Sequence, residues 1–160
     1  MSANDKALRD HVIYLLEEGG AHAKFDDVVK DWPANLRGKK VDNLPYTAWG
    51  VLEHLRIAQN DILDFSVNPK YKAMNWPADY WPKTDGPPAD DAWDKSVRAF
   101  KKDLAAISKL VRDPKTDLYA KLPWGDGQTI LREALLAADH NAYHLGQLLT
   151  LRRLLGAWKD

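Results

Sequence analysis

Between Trp93 and Val111 the apolar residues Trp93, Val97, Phe100, Leu104, Ile107 and Val111 recur every three or four positions, with Asp94, Arg98, Lys101 and Lys102 between them. This is the period of an α-helix with one buried face, and it predicts a helix over about 90–112. A second series, Val51/Leu52, Leu55, Ala58, Ile62 and Phe65, follows Thr47, a residue type that caps helix N-termini, and predicts a helix over 47–66. A third helix is expected from Thr129 to Leu155, closed by Gly156 in the place of a C′ glycine. At the start of the chain, Leu8, Val12 and Leu15 share one helical phase with Phe25, Val29 and Trp32 across Gly19-Gly20. One kinked first helix is therefore expected from Asp5 to Trp32, bent at the glycines and ended by Pro33.

Four amphipathic helices in 160 residues predict one all-α domain, a bundle large enough to bury a core without staples. The connection over 67–89 holds five of the nine prolines and cannot form a long helix. Antiparallel neighbours are usually joined by about 2–8 residues, so this longer stretch reads as a crossover along the bundle, with the helices on either side of it parallel.

Composition narrows the function. Lys plus Arg and Asp plus Glu both number 23, and no run of five like charges occurs, so nucleic acid is not an expected partner. The N-terminus is polar, and Val12 to Leu16 is far too short to span a bilayer; a soluble, cytoplasmic protein without a membrane partner is the expectation. Cysteine is absent, which leaves imidazole, carboxylate and water as metal chemistry and removes thiolate nucleophiles.

Within the last helix, His140 and His144 stand one turn apart in the row Leu136, His140, His144, Leu148, so both face inward and are spaced to reach one metal ion. The same pattern also suits two hydrogen-bonded core histidines. His54, at the edge of the buried stripe of the second helix, is open to the same two readings. In a bundle the three can meet, and three imidazoles are the number found at catalytic zinc sites that leave a fourth position for water or substrate. His11 and His22 fit no ligand position and are expected at the surface or at the boundary of the core.

The stretches LPYTAWGVLEHLRIAQNDIL and HNAYHLGQLLTLRRLLG, with one histidine in the second helix and H-x-x-x-H-x-G-Q about 85 residues later, resemble the DinB-like four-helix bundle superfamily over nearly the whole chain. The resemblance implies an up-down-down-up bundle in which His54, His140 and His144 bind a divalent metal, commonly zinc or nickel. It implies a metal-dependent small-molecule transferase using a low-molecular-weight thiol, or a hydrolase; a stress-associated, non-catalytic metal-binding bundle is the alternative. A homodimer is expected with it. Gly146 and Gln147 match the G-Q pair. A glycine inside a helix suggests close approach of a neighbour, and Gln147, three residues after His144, is placed to orient that ligand. Asp61 is a second candidate for an outer-sphere role.

Trp32 and Trp93 are expected in the core. Trp76, Tyr80, Trp81 and Trp124 fall in loops, where they either cover a bundle edge or wall a ligand cavity. Substrate recognition is assigned to loops 67–89 and 114–128, whose residues match no interpretable pattern.

Overall fold

The computed structural model describes residues 2–158, and its secondary structure is helical: among the described residues there is no strand, only an isolated bridge between Lys121 and Thr129. Four long helices, α1 (Ala3–Glu17), α3 (Ala48–Val67), α4 (Ala92–Arg112) and α5 (Ile130–Leu154), are accompanied by the short α2 (Phe25–Val29). No helix among them is long and apolar enough to cross a membrane. Thr47 and Thr129 cap α3 and α5 as their residue type suggests, accepting from Gly50 N and Arg132 N at 3.1 Å each.

The kinked first helix is not found. Helix α1 stops at Glu17, and Gly19 and Gly20 take φ values of 70° and 63°, both in the left-handed region. Two successive left-handed residues cannot carry a right-handed helix onward, so the glycine pair ends α1, and the chain runs on in the same sense along α4, with Arg9 at Val111, Phe25 on Phe100 and Trp32 on Trp93. Val28 and Val29 of α2 and Trp32 beyond it then pack into the main core with Trp49, Leu52, Leu55, Trp93, Phe100, Leu145, Leu148 and Leu151. Trp32 and Trp93, each 2% exposed, meet with ring centroids 5.4 Å apart.

Helix α3 packs against both α4 and α5, and α1 packs on the other side of that pair. Glu53 accepts from the Ser96 hydroxyl, Asn60 donates to Asp103 at 2.9 Å, and Gln59 donates to the Phe100 carbonyl at 2.6 Å. Two buried arginines lock the periphery. Arg9 donates to the carbonyls of Val111 (2.7 Å), Asp113 (3.0 Å) and Thr116 (2.8 Å), closing the C-terminus of α4 where the helix dipole favours a cation, and pairs with Asp5. Arg152 donates to Asp27 O and Val28 O and lies over the Trp32 and Trp158 rings.

The crossover spans 68–91 with one 3-10 turn, Ala78–Tyr80, and it is seated on the loop before α3. Thr47 Oγ1 donates to Asp85 O at 2.6 Å, and the Trp49 indole donates to Thr84 Oγ1 at 3.3 Å. At their crossing only glycine fits, because a Cβ on Gly38 would lie 2.7 Å from Gly86 Cα. Gly38→Ala must push the two backbones apart and is expected to lower stability by about 1–3 kcal/mol in urea or thermal unfolding, the usual cost of overpacking. An unchanged midpoint would mean that the crossover floats free of this loop.

Candidate metal centre

His54 projects from the middle of α3, and His140 and His144 from successive turns of α5, into the seam between the two helices. Here the i, i+4 spacing and the inward row come together as the sequence suggests. His54 is 2% exposed and His144 7%, while His140 is half-buried. His54 Nε2 lies 3.1 Å from His144 Nε2 and 3.1 Å from His140 Nε2, and the ligand atoms of all three fall within 4.8 Å of one another. Two nitrogens bound tetrahedrally to one zinc at about 2.05 Å would stand about 3.3 Å apart.

The partners of the other ring nitrogens fix where the protons are. His54 Nδ1 faces the Tyr80 carbonyl at 2.8 Å, and His144 Nδ1 faces Gln147 Oε1 at 2.7 Å. Carbonyl oxygens only accept, so both rings carry their proton on Nδ1 and present a lone pair at Nε2. Two lone pairs therefore point at each other across 3.1 Å, which is repulsive unless a cation lies between them. A proton is a poor candidate for that cation. Burial pushes all three imidazoles below their ordinary range, against the Tyr80 carbonyl at His54 and Gln147 at His144; at His140, burial and then the charges of His144 and His54 bring the value down to about 3. A ring held neutral with its lone pair free is the state that ligates a metal.

The site's surroundings are aromatic. The Trp81 ring stacks on His54 at 4.1 Å with an interplanar angle of 2°, and Tyr143, 65% exposed, meets His144 edge-on at 4.9 Å. Of the loop aromatics, Trp81 thus lies against the site. Trp124 instead donates to Phe65 O at 2.7 Å, and Trp76 is 73% exposed against the edge of Tyr80. Gln147 reaches the His144 ring, the one it was expected to orient. Asp61 does not touch a histidine: its carboxylate accepts from the phenols of Tyr71 (2.9 Å) and Tyr80 (2.6 Å). Burial and this carboxylate raise both phenols, Tyr71 to about 12, so they remain protonated donors. Gly146 is exposed, and a Cβ there would meet nothing within 4 Å, so no neighbouring helix explains it. His11 and His22 are exposed and away from the cluster.

The Tyr80 carbonyl was not legible in the sequence. A main-chain acceptor has no residue signature, and only the unusual density of aromatics over 76–81 marks the segment. Compared with known proteins, the chain matches no family model, no curated protein and no solved structure.

Because the unfolded chain titrates near pH 6.5 and the folded imidazoles below it, the unfolded state binds more protons between those values. Stability of the metal-free protein is therefore full above about pH 6.5 and falls as pH drops toward 3. Melting curves in excess chelator should show this decline, and His140→Ala should flatten it. An equal slope in the variant would place the proton uptake elsewhere.

Proposed function

We propose that the chain holds one divalent metal ion, zinc or nickel, between His54, His140 and His144, in a four-helix bundle of the DinB-like type. The observation that carries this reading is the pair of tautomer-fixed lone pairs converging at 3.1 Å in a buried, uncharged setting. Imidazole nitrogens suit both metals, and neutral rings suit either better than a proton. An up-down-down-up order is supported by partners whose numbers rise together between α3 and α4 (Glu53 with Ser96, Asn60 with Asp103) and oppositely between α3 and α5 (His54 with His144, Gln59 with Asn141).

The proposed activity is transfer or hydrolysis of a small molecule, with a low-molecular-weight thiol as co-substrate. A bound ion would supply Lewis acidity and lower the pKa of a thiol or water that reaches it. The protein's own part is to hold three neutral nitrogens in place, to cover one side of His54 with the Trp81 indole, and to keep Tyr80 protonated on Asp61. No described carboxylate contacts the histidines, so the incoming thiol or water, not a protein side chain, is the nucleophile. The same observation favours the second reading, a non-catalytic metal-binding bundle. A cytoplasmic homodimer remains part of the proposal by resemblance.

Close to one ion per chain is expected on elemental analysis, with His54→Ala, His140→Ala and His144→Ala each losing it and His11→Ala and His22→Ala retaining it. A His54→Ala protein with full metal would remove the inter-helix site. Chelation at neutral pH should also lower the melting temperature, because the ion binds only the folded chain.

Cobalt substitution separates the two readings. If three imidazoles leave an open position, a small thiol should produce a saturable spectral change with a sulfur-to-metal charge-transfer band. A cobalt spectrum indifferent to thiols, hydroxide and small anions would leave the three ligands in place and withdraw the transferase.

A further inference from the structure

The three imidazoles are not held alike. His144 is oriented by a side chain of its own helix, Gln147, whereas His140 Nδ1 is buried and meets no partner among the described residues. His54 is oriented from outside its helix, by a main-chain carbonyl of the crossover. A loop carbonyl orients a ring only as well as the loop itself is held, so what fixes residue 80 bears on the metal centre.

Of its two hydrogen bonds to the rest of the chain besides the one to His54, one reaches a helix. The Tyr80 N–H donates to Pro77 O at 3.0 Å, a contact internal to the crossover that cannot anchor it to the helices. The Tyr80 phenol donates to Asp61 Oδ2 at 2.6 Å, and Asp61 sits on α3, two turns beyond His54. Residue 80 thus spans between two points of one rigid helix, its phenol at residue 61 and its carbonyl at residue 54. The next residue, Trp81, lies flat on the His54 ring. Tyr71 shares the carboxylate through Oδ1 but offers nothing to a histidine; its ring packs on Phe65.

Resting on the metal reading above, we propose that Asp61 and Tyr80 are a positioning pair for His54: the carboxylate holds the phenol, and the phenol holds the carbonyl that fixes the ligand's tautomer and angle. Partners of this kind, one step removed from the ligands, commonly change metal affinity by about 10–100-fold. The pair also makes the crossover part of the metal centre, since the segment that sets His54 is the one that brings Trp81 against it.

The test uses the full chain with Tyr80→Phe and Asp61→Ala, and Tyr71→Phe as the control that removes the other phenol on the same carboxylate. Cobalt affinity is measured by competition with a chelator at fixed pH, beside the visible spectrum and the melting temperature of the metal-free proteins. Tyr80→Phe and Asp61→Ala should weaken cobalt binding about tenfold or more and alter its visible spectrum, while Tyr71→Phe stays within about twofold and the metal-free Tyr80→Phe and Tyr71→Phe proteins melt alike. Binding by Tyr80→Phe within about twofold of the parent, or equal weakening by Tyr71→Phe, overturns the proposal. If the parent chain takes up no cobalt, the metal reading itself fails, and nitrogen-15 NMR of the His54 ring then decides positioning alone. A single Nδ1–H tautomer that becomes mixed in Tyr80→Phe supports the pair, and one that is unchanged overturns it.

Discussion

The Gln59 side chain, fully buried among three helices, sets their register. Its amide nitrogen donates to the Phe100 carbonyl in the middle of α4, and its oxygen accepts from Asn141 Nδ2 on α5. The first bond dictates the second: a carbonyl can only accept, so the nitrogen must face α4 and the oxygen is left for α5. Apolar packing alone would tolerate a slide of one helix along another, since leucines and alanines are nearly interchangeable along a stripe. Buried amides are not, because a slide leaves donors and acceptors unpaired in a medium that penalises them. A shift of α5 by one turn, about 5.4 Å, would carry His140 and His144 away from His54.

Charge inside the molecule is handled in the same way. Arg9 and Arg152 are each more than nine-tenths buried, and each is surrounded mainly by main-chain carbonyls. Both sit where helices end and carbonyls lack helical partners, so the guanidinium gains acceptors and the helix ends gain donors. The outer ion pairs, such as Lys6 with Asp10 and Lys95 with Asp91, are solvent-exposed and contribute little by comparison.

What was legible in the sequence was whatever repeats. The stripes of α3, α4 and α5 and the row that turns His140 and His144 inward follow from a 3.6-residue period, and the threonine caps from a hydroxyl standing just before such a stripe. Gly19-Gly20 defeated that reasoning. Phase continuity across the pair suggested one bent helix, but phase says nothing about the sign of φ, and two residues beyond 60° end a helix outright. Gly146 misled in the opposite direction, since the usual reason for a glycine inside a helix is absent around it. Asp61 lies two turns beyond His54 on α3, yet the phenols that occupy it come from the crossover. That segment has no period from which its docking could be read, and neither Trp81 nor the Tyr80 carbonyl could be placed until the segment itself was.

The grip of Arg9 on the end of α4 has a meaning for biosynthesis. Arg9 and Val111 are 102 positions apart. At about 5–20 residues per second, the first helix leaves the ribosome roughly 5–20 seconds before the carbonyls it will bind have been made. During that interval Val12 and Leu16, nearly sequestered in the finished fold, have no mate from α4 or α5. The first helix thus waits on α4 and α5, and its apolar face stays without them for most of the chain's synthesis.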